Sequence, residues 1–264
     1  MDSFFSYNNR NIHYTLKGKG DAVILLHGFT ESLDIWDEFS ERLSQNYKVV
    51  CIDLPGHGLS ECIAETHTME LMATCVLEVL KSLHIKKCVM VGHSMGGYVS
   101  LAFAEDNPEM LTGLCLFHST AYKDSDEARQ NRYRTNEIIN KHPYNFLSNF
   151  IPSLFTEQNQ KKYSTEINEL VEKSKRMTAE GVIACNKGMA ERPDRSDVLK
   201  NATIPVLFIA GKLDSRIPFD KVMEQIAMPN DSVALLMGDV AHMGYLEAKE
   251  KTYYGIKTFV DGCF

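Results

Sequence analysis

Short apolar runs recur along this chain and constrain its fold more than any other feature of the sequence. They lie at 22–26, 47–52, 87–91, 111–117, 206–210 and 233–237. A run that is apolar at nearly every position is typical of a strand buried on both faces. Helical patterns at 68–83, 97–105, 219–227 and 246–260 separate most of these runs. Buried strands that alternate with helices predict an α/β fold, with a mostly parallel sheet covered by helices on both faces.

Two regions depart from this alternation. Near the N-terminus, residues 4–7 and 12–16 flank the turn Asn8-Asn9-Arg10, which predicts a hairpin and brings the number of strands to eight. Residues 119–196 contain no buried strand pattern, but have charged helical patterns at 127–141 and 166–177 and an apolar stretch at 144–155. We therefore expect a helical insertion at 119–196 between two parts of one core, 1–118 and 197–264.

Charge and cysteine usage exclude several classes of protein. The net charge is −7 and the positive charges are scattered, which argues against a nucleic-acid partner. The seven cysteines show no CxxC spacing, so we expect reduced, buried thiols and no zinc site. The first residues lack the pattern of a signal peptide, and no apolar run approaches the roughly 20 residues needed to cross a bilayer. We expect a soluble cytoplasmic protein with no membrane partner.

A candidate nucleophile lies in the segment Gly92-His93-Ser94-Met95-Gly96-Gly97, between an apolar run and a helical pattern. A serine at the tip of a strand-to-helix turn is strained, and glycines at 92 and 96 avoid the Cβ atoms that would clash there. Gly97 allows close packing of the helix. The helix N-terminus also favours the negative charge that develops during acyl transfer.

With this segment the sequence resembles the α/β-hydrolase superfamily over nearly its whole length, in its esterase and enol-lactonase-like branch. Three further motifs carry the resemblance: His27-Gly28-Phe29, the segment 53–60 that reads DLPGHGLS, and the segment 211–218 that reads GKLDSRIP. The resemblance implies Ser94 as nucleophile, Asp214 as acid and His242 as general base, in the family's chain order. It also implies an oxyanion hole made of the backbone N–H groups of Phe29 and Met95, a helical cap at 119–196, and no metal or organic cofactor.

The choice of His242 and Asp214 over their rivals rests on position. His242 lies in the loop after the last predicted strand, where the family carries its histidine, whereas His93 is the variable residue before the nucleophile. Asp239 and Glu247 are close to His242 in sequence but do not occupy the acid position of the family. His27 and His57 belong to backbone motifs and are expected to be structural.

Hydrolysis of carboxylic esters by an acyl-enzyme route is the function that the resemblance favours most. Enol-lactone hydrolysis and carbon–carbon bond hydrolysis remain alternatives, and a third is a small-molecule sensor that hydrolyses slowly and signals to a protein partner. A serine at position 94 argues against the dehalogenase and epoxide-hydrolase branches, which use Asp.

A cap over Ser94 predicts an enclosed apolar pocket, suited to small-molecule esters with small to medium apolar acyl groups. We expect His118, Phe146, Phe150 and Met243 to line it. We expect a monomer or a homodimer.

Overall fold

The computed structural model describes residues 2–264 and contains a single eight-stranded sheet. Its strands are β1 (Asp2–Tyr7), β2 (Arg10–Lys17), β3 (Ala22–Leu26), β4 (Lys48–Ile52), β5 (Cys88–His93), β6 (Leu111–Phe117), β7 (Val206–Gly211) and β8 (Ser232–Met237). The strand order is β1-β2-β4-β3-β5-β6-β7-β8. Strand β2 is antiparallel to β1 and β4, and all other neighbours are parallel. The predicted mostly parallel sheet is confirmed.

Twelve α-helices connect and cover these strands in the described chain. They are α1 (Asp37–Leu43), α2 (Met69–Ser82), α3 (Met95–Asp106), α4 (Asp126–Lys141), α5 (Pro143–Phe150), α6 (Glu157–Lys162), α7 (Ser164–Ser174), α8 (Ala179–Glu191), α9 (Ser196–Lys200), α10 (Phe219–Ile226), α11 (Gly244–Glu247) and α12 (Lys249–Asp261). Threonine or serine caps start α2, α4 and α8, where the side chains of Thr68, Ser125 and Thr178 each accept a backbone hydrogen bond.

The prediction of one continuous helix at 246–260 is wrong. Helix α11 ends at Glu247 and α12 begins at Lys249, because Ala248 between them has a non-helical backbone with φ of −143° and ψ of 44°. The Glu247 carboxylate is turned back and accepts hydrogen bonds from the N–H groups of Ala241 and Met243. This contact ties the end of α11 to the preceding loop.

The core consists of two apolar layers, one on each face of the sheet. In β3, Ile24 and Leu26 belong to the layer beneath α2 and α3, whereas Val23 and Leu25 belong to the layer beneath α1 and α12. All five residues of β3 are buried. Burial on both faces explains why the strand is apolar throughout.

Residues 119–196, all of which the structure describes, contain helices α4 to α8 and no strand. This helical segment is attached to the core at several points. The N–H of His242 donates to the carbonyl of Leu154 at 3.1 Å. A Cβ atom at Gly181 would lie 2.7 Å from the carbonyl oxygen of Gly56, so only glycine permits this approach of α8 to the core. The segment is therefore held against the ends of the core strands.

Two further findings concern the helices and the cysteines of the described residues. Among residues 2–264, no helix combines the length and the apolar character that crossing a membrane requires. All seven cysteines are free thiols, and five of them are buried.

Candidate active site

Ser94 lies at a strained turn between β5 and α3. Its φ is +50° and its ψ is −113°, a conformation that non-glycine residues rarely adopt. The neighbouring glycines make the turn possible, because a Cβ atom at Gly92 would lie 2.4 Å from the backbone of Gly96, and one at Gly96 would lie 2.5 Å from the carbonyl of Leu26. The turn therefore holds the serine side chain at the edge of the sheet.

Three side chains from separate loops meet at this edge. Nε2 of His242 lies 2.9 Å from Oγ of Ser94, and Nδ1 of His242 lies 2.8 Å from Oδ2 of Asp214. Asp214 follows β7 and His242 follows β8. The structure thus brings together the three residues that the family resemblance predicts, in the order serine, histidine, carboxylate.

The Asp214 carboxylate is buried and fully hydrogen-bonded. Its Oδ1 accepts the backbone N–H groups of Arg216 and Ile217 at 2.8 and 3.0 Å. Burial raises the pKa of this carboxyl, but the charge of His242 and the hydrogen bonds from His118 and His242 lower it more, so the pKa lies well below its usual value. Asp214 is therefore ionised throughout the neutral range.

A second buried carboxylate, Glu31, connects the loop after β3 to the loop that carries His242. It accepts hydrogen bonds from Nδ1 of His93 at 2.9 Å, from the hydroxyl of Tyr245 at 3.0 Å and from the N–H of Gly28 at 2.6 Å. Nε2 of His93 in turn donates to the carbonyl of His242 at 3.0 Å. Both nitrogens of His93 donate, so its ring is the cationic partner of Glu31.

The pKa shifts of His93 and Glu31 agree with the assignment of these two residues as an ion pair. Burial lowers the pKa of His93, but the adjacent Glu31 raises it more, and the net pKa is above its usual value. For Glu31, burial raises the pKa, yet the charge of His93 and its hydrogen bond lower it more. A buried ion pair with every oxygen hydrogen-bonded is a rigid support.

The two backbone groups predicted to form the oxyanion hole face no internal acceptor. Within residues 2–264, the N–H groups of Phe29 and Met95 make no hydrogen bond. Two buried histidines support the segment around Phe29. Nε2 of His57 accepts the N–H of Thr30, the residue after Phe29, and Nε2 of His27 accepts the N–H of Leu54. Both of these histidines are buried, in keeping with structural roles.

Ser94 and His242 open into a cavity of about 450 Å³, with the helical segment as one wall. Its apolar lining consists of Phe29, Tyr98, Phe146, Phe150, Leu154 and Met189. Its polar lining beyond the Ser94 site includes Asp124, Asn131, Arg132, Thr135, Asn186, Ser215 and Arg216. The cavity is consequently more polar than the sequence predicts.

Of the four residues expected to line this cavity, the structure places Phe146 and Phe150 there. His118 lies behind Asp214 instead, with its ring buried and Nδ1 at 2.9 Å from the carboxylate. Met243 is buried in the core layer beneath α12. His118 directly follows β6 and Met243 directly precedes α11, and at such element ends a side chain can turn toward the core as easily as toward a pocket.

Sequence reasoning did not identify Glu31, Arg132 or Arg216. Each is a single charged residue in a loop or on a charged helix, with no periodic pattern around it. The weak signal was position, since Glu31 lies two residues after the motif His27-Gly28-Phe29 and Arg216 lies within the segment 211–218.

His118, Asp214 and His242 also have ligand atoms within 4.8 Å of one another, a spacing that a metal ion could bridge. Hydrogen bonds already account for this proximity, because both rings donate from Nδ1 to Oδ2 of Asp214. The donor set therefore gives no independent indication of a metal.

Comparison with known proteins agrees with the fold and the site. A family model described as the alpha/beta hydrolase fold matches residues 21–249. A thermophilic esterase from Thermogutta terrifontis, solved with malate bound, has a TM-score of 0.93 at 29% identity and covers 100% of this chain and 99% of its own. The enol-lactonase of Burkholderia xenovorans LB400 has a TM-score of 0.91 at 19% identity, covering 98% of this chain and 100% of its own, and shows the fold alone.

A curated relative is the (E)-2-((N-methylformamido)methylene)succinate hydrolase of Acinetobacter baylyi. It is 22% identical over 255 residues, which cover 96% of this chain and 95% of the relative. A sheet of this topology with this site at its edge defines a hydrolase. The chain belongs to the α/β-hydrolase fold family.

Proposed function

We propose that this chain is a serine hydrolase that cleaves carboxylic esters of small to medium acyl groups through an acyl-enzyme intermediate. The observation that carries this proposal is the chain of contacts from Ser94 Oγ to His242 Nε2 at 2.9 Å and from His242 Nδ1 to Asp214 Oδ2 at 2.8 Å. A serine hydroxyl is a weak nucleophile at neutral pH and needs an adjacent base, which this geometry supplies.

In this proposal His242 takes the proton of Ser94 as the hydroxyl attacks the ester carbon. The tetrahedral intermediate collapses, the alcohol leaves with the proton from His242, and the acyl group stays on Ser94. Water then attacks the acyl carbon with His242 again as base, the bond between the acyl group and Ser94 Oγ breaks, the carboxylic acid leaves, and Ser94 takes back the proton from His242. Asp214 holds the imidazole in the tautomer with hydrogen on Nδ1 and stabilises its charged form. Side chains and backbone supply every step, and none requires a metal or an organic cofactor.

The oxyanion of the intermediate would be stabilised by the N–H groups of Phe29 and Met95. Their freedom from internal acceptors supports this role. Glu31 contributes by fixing the preceding peptide, because its carboxylate holds the N–H of Gly28. Each such donor typically contributes about 3 kcal/mol to stabilising the transition state.

The helical segment would act as a cap that selects the acyl group. Ring contacts support this, since Phe150 lies 5.7 Å from Phe29 of the core and 5.2 Å from Phe146 between ring centroids. Apolar side chains of the helical segment and of the core thus pack against each other in the wall of the cavity. A volume of about 450 Å³ suits small to medium substrates.

Covalent labelling and turnover test the proposal together. A fluorophosphonate probe should add its mass to one peptide, the one that contains Ser94, and Ser94→Ala should lower ester turnover by up to ~10⁶-fold while the protein stays folded. The variant Ser215→Ala removes another serine hydroxyl of the same cavity and should still be labelled at Ser94. Labelling elsewhere, or full activity in Ser94→Ala, would reject the assignment.

A screen of substrates separates the remaining candidate functions. It should contain 4-nitrophenyl esters of graded length, an enol-lactone and a diketone. Steady turnover of the esters supports the esterase, whereas preference for the lactone or the diketone selects one of the other hydrolases. A burst of one equivalent without further turnover would instead indicate the sensor.

A further inference from the structure

Arg216 presents a positive charge to the cavity and has no carboxylate in direct contact with its guanidinium. Arg216 lies two positions after Asp214 in the sequence and lines the same cavity as Ser94 and His242. Within residues 2–264 no carboxylate oxygen lies within 4.0 Å of its guanidinium. Its one side-chain hydrogen bond in this part of the chain goes to Oγ of Ser153 at 2.5 Å, and Phe150 lies 5.0 Å below it. Most of its N–H donors therefore remain available to a ligand.

A second positive charge faces the cavity from helix α4. Arg132 donates from Nε to Oδ2 of Asp124 at 2.5 Å, but the other oxygen of Asp124 lies 2.7 Å from Arg192. One carboxylate thus serves two guanidinium groups, and one positive charge is left over. Arg132 and Arg216 line the same cavity. Burial lowers the pKa of Arg216, and although Asp214 opposes this shift, the charge of Arg132 adds to it.

The other acidic groups at the cavity offset these charges only in part. Glu31 is paired with the cationic His93, whereas the negative charge of Asp214 also acts on Arg216. Three guanidinium groups, those of Arg132, Arg192 and Arg216, thus have two carboxylates, Asp124 and Asp214, and one positive charge is left at the cavity. The protein as a whole has a net charge of −7, so a positive wall inside this cavity runs against its overall charge. Uncompensated guanidinium groups next to apolar rings are typical of sites that bind planar carboxylates.

We infer that the substrate carries a carboxylate group apart from the bond that is cleaved, and that Arg216, assisted by Arg132, binds this group. This inference rests on the proposed ester hydrolysis at Ser94 and specifies its substrate class. The apolar rings would contact the body of the substrate, while the guanidinium of Arg216 would pair with the carboxylate by two parallel N–H···O bonds. Arg216 is then a specificity-determining residue.

Matched ester pairs test this inference. One pair is 3-(butyryloxy)benzoate and 3-(butyryloxy)benzamide, with the charge on the alcohol side. The other is the mono-4-nitrophenyl ester of adipic acid and 4-nitrophenyl hexanoate, with the charge on the acyl side. In at least one pair we expect wild-type kcat/KM to favour the charged ester about tenfold, and Arg216→Gln to bring the ratio close to one. If Arg216→Gln disturbs Asp214, kcat/KM falls for both esters of a pair, because both are cleaved by the same Ser94. The ratio of the two values therefore reports only on the recognition of the charged group.

Lys212→Gln is the matched control. Lys212 is an exposed cation on the same loop that does not line the cavity, so the ratio should stay as in the wild type. Preference for the neutral ester in both pairs, or an unchanged ratio in Arg216→Gln, would overturn the inference.

A binding measurement keeps this result separate from failure of the proposed function. If the wild type hydrolyses none of the four esters, ester hydrolysis is rejected, and calorimetric binding of 3-hydroxybenzoate then tests the subsite alone. Binding that is lost in Arg216→Gln and kept in Lys212→Gln would support the carboxylate site. Equal binding by all three proteins, or none by the wild type, would overturn it.

Discussion

Nδ1 of His118 lies 2.9 Å from Oδ2 of Asp214, the same oxygen that Nδ1 of His242 approaches to 2.8 Å. Burial lowers the pKa of His118 to about 4, although Asp214 opposes this shift, so the ring is neutral at pH 7 and donates from Nδ1. With two backbone N–H groups on its other oxygen, Asp214 accepts four hydrogen bonds. Its carboxylate can therefore neither rotate nor take up a proton readily.

We expect Asp214→Asn to lower kcat by about 10⁴-fold. The amide has nearly the same shape, but it has no charge to stabilise the protonated His242, and its NH₂ group cannot accept the two histidine donors. Turnover of 4-nitrophenyl butyrate measures the loss, and circular dichroism verifies the fold. Asp239→Asn, an exposed aspartate in the His242 loop, is the control and should retain activity. The reverse outcome would assign the acid to Asp239.

Glu31→Gln should lower kcat by about ten- to a hundredfold and change KM little. The amide removes the charge that keeps His93 protonated, and it weakens the support of both the Gly28 peptide and the His242 carbonyl. Small displacements of reacting groups are known to cause losses of this size. Steady-state kinetics on one ester would show the split between kcat and KM. Glu38→Gln, at an exposed glutamate that pairs with Lys249, should behave as the wild type, and equal kinetics in both variants would contradict a positioning role for Glu31.

The strands and the reacting side chains were predictable from sequence for a physical reason. Strand β3 is buried on both faces, so its local apolar run contains the information needed to place it. The Ser94 turn likewise carries its own signature, since both glycines are required by clashes within a few residues. The role of Glu31 depends on contacts with residues far away in the sequence, which no local pattern records. The break at Ala248 accompanies hydrogen bonds from Ala241 and Met243 to the Glu247 carboxylate, and the apolar periodicity of the segment does not report such polar contacts.

The acyl-length profile should rise from acetyl to about butyryl or hexanoyl and then fall. Each further methylene buried against Phe146 and Phe150 adds about 0.8 kcal/mol, roughly fourfold in kcat/KM, until the cavity is full. Phe146→Ala enlarges the cavity and should move the optimum to longer chains. A series of 4-nitrophenyl esters gives both profiles. Efficient hydrolysis of the palmitoyl ester with poor hydrolysis of short esters would indicate an open, lipase-like cleft.

Stability should fall as the pH drops from about 6.5 toward 4. Burial lowers the pKa of His67 and of His118 to about 4, whereas in the unfolded chain both would bind protons near 6.5. Between these values the unfolded state binds two more protons at these sites than the folded state. These two histidines should therefore contribute a decrease of ~2.7 kcal/mol per pH unit to the free energy of unfolding in the middle of this window. His27 and His57, whose pKa values burial also lowers, act in the same direction.

Urea unfolding at pH 5, 6 and 7, followed by the fluorescence of the single buried tryptophan, Trp36, measures this slope. His67→Gln removes one titrating group and should reduce the slope by ~1.4 kcal/mol per pH unit, even if the variant is less stable at every pH. His142→Gln, at an exposed histidine, should leave the slope unchanged. A wild-type free energy of unfolding that is constant from pH 7 to pH 5 would contradict the prediction.

The division of the cavity between two parts of the chain has a consequence for how such proteins diverge. Ser94, Asp214 and His242 lie on loops of the sheet, whereas Arg132, Phe146 and Phe150 lie on helices of the segment 119–196. Substitutions in that segment can change which substrate is accepted without disturbing Ser94, Asp214 and His242 or the core that supports them. Natural variation and laboratory selection for new substrates should therefore accumulate in these helices, while the sheet loops stay constant.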